Sequence, residues 1–148
     1  MKAIILPEHG GSELFRVEEV PKPETKPGHV LIQVAASSVN PVDFKIRQGL
    51  IPIGPELPGI LHGDMAGVVE DVGEGVKGFA PGDEVYGCIG GFKGLPGVLA
   101  DYALADAQLL AKKPSNLSME DAAALPLVTI TAWNALMDRA KVSEGQRV

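Results

Sequence analysis

The sequence holds a single cysteine, Cys88, among 148 residues. One thiol can build neither a disulfide framework nor an all-thiolate zinc site. A reducing, cytoplasmic setting is therefore expected. Aromatic residues are scarce at 5%, and no apolar run reaches the roughly 18 residues of a membrane-crossing helix. The opening apolar run stops at Pro7, too early for the core of a secretion signal, and reads as a first strand. Positive charge is also short: 13 Lys and Arg face 19 Asp and Glu, a net charge of −6, with no basic cluster. That argues against a nucleic-acid surface.

What the chain has in quantity is turn chemistry. Its 18 glycines and 12 prolines make about a fifth of the sequence. This lies below the roughly 25–30% of low-complexity chains but implies many tight turns. Between them lie short runs patterned as strands: 2–6, 15–20, 29–35, 66–72, 83–89 and 99–105. Val30, Ile32 and Val34 share one face of the third run; Val68, Glu70 and Val72 share one face of the fourth. Irregularly spaced short strands with long turns predict a mainly β unit, a partly open barrel or a sandwich. One short helix interrupts them. In NPVDFKIRQG, Asn40 suits the N-cap, Pro41 the first helical position, Asp43 the first turn and Gly49 the end. The next stretch, GLIPIGPELPG, predicts a fixed, irregular path.

From about residue 115 the pattern becomes helical. Ser118 is a candidate cap with Asp121 three residues on. Ile130, Trp133, Leu136, Met137 and Ala140 recur at helical spacing, so that stripe is expected to be core. VSEGQRV reads as a turn leading into a further strand, as if the chain stopped on entering a second unit.

Gly73, Gly75 and Gly78 spell a literal G-x-G-x-x-G. No amphipathic helix opens on them, because Pro81-Gly82-Asp83 announces a turn and a strand follows. A dinucleotide fingerprint needs that helix, so tight turns explain these glycines better.

The stretch DMAGVVEDVGEGVKGFAPGDEVYG nevertheless resembles the medium-chain dehydrogenases/reductases. VLIQVAASSVNPVDFKIRQG resembles their strand and helix entering the active site, ALPLVTITAWNAL their domain-joining helix, and SEGQRV the lead-in to their cofactor domain. The resemblance covers nearly the whole chain. It implies a GroES-like catalytic domain over 1–117, a partly open β-barrel with short helices. Residues 118–148 would then be linker helices that begin an α/β Rossmann domain. Zinc-dependent relatives hold the ion with Cys-x-x-Asp and Gly-His-Glu. Here those motifs read Asn40-Pro41-Val42-Asp43 and His62-Gly63-Asp64, so neither ligand is present. His62 stands one place off, which in an extended segment sends a side chain to the opposite face.

The chain therefore resembles the zinc-free, quinone oxidoreductase-like branch. That branch implies NADPH, held mainly by the domain that does not appear, no zinc, and a quinone or α,β-unsaturated carbonyl as substrate. It also implies a homodimer formed through that other domain. The catalytic candidates are Asn40, Asp43 and Lys45; the cofactor-binding candidates are Asn40, Lys45 and Thr131. Each has a plainer reading: a cap for Asn40, a first-turn carboxylate for Asp43, a surface cation for Lys45, and a hydroxyl bonded to its own helix for Thr131. Asp64, at the relatives' acidic position, is expected to bond backbone groups nearby. Leu50, Ile51, Ile53 and Leu57 could wall an apolar substrate pocket. The loop lacks a tyrosine, against an enoyl-thioester reductase. Two other readings remain open: a stand-alone binding or scaffold domain, and a zinc-type alcohol dehydrogenase with atypical ligands.

Overall fold

A computed structural model describes residues 1–147. Eight strands and three α-helices follow the order β1 (Lys2–Leu6), β2 (Arg16–Glu19), β3 (His29–Ser37), α1 (Pro41–Arg47), β4 (Gly59–Ile60), β5 (Asp64–Val72), β6 (Glu84–Cys88), β7 (Tyr102–Asp106), β8 (Ala111–Lys112), α2 (Met119–Ala123) and α3 (Pro126–Trp133). A π-helical segment, Asn134–Arg139, extends α3. The molecule is mainly β and its barrel is not closed, both as expected. Two antiparallel sheets form it, one ordered β2-β1-β4 and the other β7-β3-β5-β6-β8.

Strand β3 is long because a Val/Ile/Leu-rich run suits a central position between two partners. Val30 and Ile32 are fully buried in the main core with Met65, Val69 and Val85. The register with β5 slips at Glu70: Leu31 faces Asp71, yet Ile32 faces Val69. This bulge alters the expected face, so Val69 and Val72, three apart, both pack on the core. The predicted strand 99–105 is divided for a related reason. Tyr102–Asp106 pairs with β3, while Ala100 bridges to Ala3 and links the two sheets. A second core of Leu6, Ile46 and Leu61 seats α1 and the following loop. A third sets Ala122 and Ala123 of α2 against Ala66 of β5.

No helix follows Gly73–Gly78; turns join β5 to β6. Gly75 and Gly78 have φ of 82° and 88°, the left-handed region glycine enters freely. Ser118 caps α2 by accepting the Asp121 amide at 3.0 Å. The expected strand after Ser143 is absent through residue 147, and Val148 lies outside the described residues.

The stripe on the last helix departs from expectation. Ile130 is 57% and Trp133 61% exposed, and Met137 is exposed as well, so these residues are not core. Pro126, at its N-terminal end, is the one residue of α3 that is buried. No helix among the described residues is long and apolar enough to cross a membrane.

Candidate active site

The site forms where the N-termini of α1 and α3 meet the start of β5. Asn40 precedes α1 in an extended conformation, and Pro41 fits the first helical position with its fixed φ. Asp43, in the first turn, accepts the Asn40 backbone N–H at 2.7 Å, while the Asp43 N–H donates to the Asn40 carbonyl at 2.9 Å. The Asn40 side chain has a different task. Its amide nitrogen donates to Asp64 Oδ2 at 3.0 Å.

Asp64 is completely buried at the first position of β5. Both its oxygens accept the Leu127 backbone N–H at 3.1 Å, and the Ser38 hydroxyl lies 3.5 Å from Oδ2. Leu127 is in the first turn of α3, where an unpaired N–H and the helix dipole favour a carboxylate. Asp64 does bond a backbone group beside it, one that lies 63 residues away in the sequence.

Cys88 stands directly across from Asp64 in the β5–β6 register. Burial pushes its thiol above the ordinary range, and the Asp64 and Asp43 carboxylates add to the effect. A raised pKa favours the thiol over the thiolate, the nucleophilic form. Sequence spacing does not pair Cys88 with Asp64; only the register does. His62 also joins the cluster. Its backbone is left-handed, φ 68°, and its buried Nδ1 has no hydrogen-bond partner. Burial lowers its pKa, and the Asp43 charge partly opposes this. Burial likewise raises the Asp43 pKa, against the Asn40 N–H and His62.

The other candidates lie at the margin. Lys45 is exposed two residues beyond Asp43, a spacing that does not share a helix face, and it makes no ion pair among the described residues. Thr131 is exposed on α3 and donates to the Leu127 carbonyl at 2.7 Å. A groove of about 390 Å³ beside it is lined by Cys88, Leu125, Pro126, Thr129 and Ile130. The loop after α1 divides its apolar residues. Ile51 and Leu57 pack on the second core, while Leu50 and Ile53 face outward.

The donor set does not fit Zn²⁺. Asn40 offers an amide and no thiolate, and Gly63 has no side chain. A Cβ at Gly63 would come within 2.6 Å of the Gly90 carbonyl, 2.9 Å of the Phe92 ring and 3.1 Å of Cys88 Sγ. The place of the second ligand is thus filled.

Residues 26–115 match the alcohol dehydrogenase GroES-like domain. The chain belongs to that family. Its relatives include a 2-methylene-furan-3-one reductase of Solanum lycopersicum, 41% identical over all of this chain and 39% of the relative. An NADPH-dependent alkenal/one oxidoreductase of Arabidopsis thaliana is 39% identical over all of the chain and 40% of the relative. A solved alcohol dehydrogenase superfamily protein from Novosphingobium aromaticivorans superposes with TM-score 0.94 at 47% identity, over 99% of this chain and 44% of that one. The Escherichia coli quinone oxidoreductase complexed with NADPH gives TM-score 0.80 at 29% identity, over 95% and 41%. This GroES-like domain chain spans about two-fifths of the length of such curated relatives.

Proposed function

We propose that the chain is the catalytic part of an NADPH-dependent, zinc-free reductase of quinones or α,β-unsaturated carbonyls. Residues 1–117 would form the catalytic domain, and 118–148 would lead into a nucleotide-binding part. Relatives named as NADPH-dependent alkenal/one oxidoreductase and quinone oxidoreductase support the reaction class. The observation that carries the metal-free reading is the pairing of Asn40 with Asp64 beside a Gly63 that has no room for a ligand side chain.

When bound, NADPH supplies the hydride. The chain's residues would receive the resulting charge. Hydride addition to a conjugated carbonyl moves negative charge onto its oxygen, and oriented hydrogen-bond donors must meet it. Asn40 has two amide hydrogens; Asp64 takes one and holds the group in orientation, leaving the second for a ligand oxygen. The Thr131 hydroxyl spends its hydrogen on Leu127, so its oxygen remains an acceptor for a carboxamide N–H. Lys45, as an exposed cation, would attract phosphate charge without touching the reacting atoms. Asp43 supports Asn40 and does not itself meet substrate. Leu50 and Ile53 would contact an apolar substrate, consistent with an enone or quinone.

The solvent-facing Ile130 and Trp133 favour a larger protein over a stand-alone scaffold domain. Assembly as a homodimer and a cytoplasmic location belong to the same proposal; relatives include chloroplastic and mitochondrial forms. Two measurements test it. The 148-residue chain alone shows no NADPH binding by calorimetry, and a natural form carrying the nucleotide-binding part oxidises NADPH on adding an enone in the presence of a zinc chelator. Micromolar NADPH affinity of the chain alone, or turnover that the chelator abolishes, contradicts the proposal.

A further inference from the structure

We infer that Asp64 is a positioning residue that locks helix α3 to the Asn40 amide and so sets the distance between the two groups proposed to hold the nicotinamide. The inference rests on the function proposed above for Asn40 and Thr131. Its physical basis is a continuous chain of hydrogen bonds. The Asn40 amide donates to Asp64 at 3.0 Å, the Leu127 N–H donates to the same carboxylate at 3.1 Å, and the Thr131 hydroxyl donates to the Leu127 carbonyl at 2.7 Å. The partners come from β3's trailing loop, β5 and α3, separated by 24 and 63 residues. No other side-chain hydrogen bond among the described residues joins α3 to the sheets.

A simple helix cap would explain the Leu127 bond but not the choice of acceptor. Asp64 Oδ2 receives both Asn40 Nδ2 and Leu127 N, with Ser38 Oγ at 3.5 Å. In a fully buried site, donors sharing one oxygen polarise it jointly, so a change at one is felt at the other. The carboxylate is also ideal for this task because it is an acceptor at every lone pair. An asparagine there would keep the shape yet set an NH2 donor against the Leu127 N–H in either orientation, because that N–H lies 3.1 Å from both carboxylate oxygens, and so weaken that link. Helix α3 has few alternative anchors: Pro126 is its only buried residue.

The test is amide hydrogen exchange and NMR on the 148-residue chain. In Asp64→Asn the Leu127 amide exchanges faster by about tenfold or more, as loss of a hydrogen bond to a charged group implies, while Val30, Ile32 and Val69 keep their rates. Asn40→Ala shifts the Leu127 amide resonance when Asp64 is present and not in an Asp64→Ala background; additive shifts would show that the two sites are not coupled. An unchanged Leu127 rate in Asp64→Asn, or a uniform rise across β3 and β5, overturns the inference. Should both Asp64 variants fail to fold, Asn40→Ala alone decides, and an unmoved Leu127 resonance overturns it. None of these readouts involves NADPH. Failure of the reductase reading would appear separately, as absent hydride transfer with the coupling intact.

Discussion

At the residue scale, two positions show how space and charge shape the site. Gly63 has an ordinary backbone, so its restriction is purely one of room: the Gly90 carbonyl, Phe92 and Cys88 occupy the volume a side chain needs. Gly63→Ala is therefore expected to destabilise the chain by about 1–3 kcal/mol, the usual range for overpacking a filled interior. Urea unfolding measures this, and an unchanged midpoint would show that the neighbours yield freely. His62 raises a question of charge. Its pKa falls below the ordinary 6.5 because burial penalises the imidazolium more than Asp43 rewards it. Between the depressed native value and 6.5 the unfolded chain holds more protons than the folded one, so stability rises with pH through that window. Asp43 acts in the opposite sense just above 3.8, where the folded state holds the extra proton and stability falls as pH rises. His62→Asn, which tolerates a left-handed backbone, should flatten the slope just below pH 6.5. A slope that persists in melting temperatures against pH assigns it to another group.

At the element scale, what was legible followed from periodicity and caps. The Val/Ile alternation of 29–35 and the Asn40-Pro41-x-Asp43 pattern located β3 and α1, because those signals act within a few residues. Strands β4 and β8, two residues each, carry no period to read. The Glu70 bulge is a property of pairing with β3, invisible in one strand alone. The same limit hid the site's organisation. Asn40, Asp43 and Thr131 could be singled out by resemblance, but the Asp64–Leu127 bond spans 63 residues and Cys88 reaches Asp64 only by register. Periodicity misled at Ile130, Trp133 and Met137, since a helical stripe shows which residues share a face but not what covers it. Trp133→Ser should accordingly change the stability of this chain by no more than about 0.5 kcal/mol, as for an uninvolved surface site. A loss of several kcal/mol in thermal unfolding would place Trp133 in a packed interface.

At the scale of the whole molecule, the domain supplies a scaffold of two sheets and three cores, in which Ile46 seats α1, Ala122 and Ala123 seat α2, and the Asp64 carboxylate holds the N-terminus of α3. The carboxylate of Asp64 sits where α1 and α3 meet, paired with the Asn40 amide. In the function proposed above, oriented dipoles stand in for Lewis-acid chemistry, and the hydride would come from a nucleotide held largely elsewhere. The most direct measurement of that claim is elemental analysis of the purified protein after growth in zinc-supplemented medium, by inductively coupled plasma mass spectrometry. The account predicts zinc far below one ion per chain, equal to that of an Asn40→Ala control. Stoichiometric zinc, lost on replacing Asn40 or His62, would contradict it.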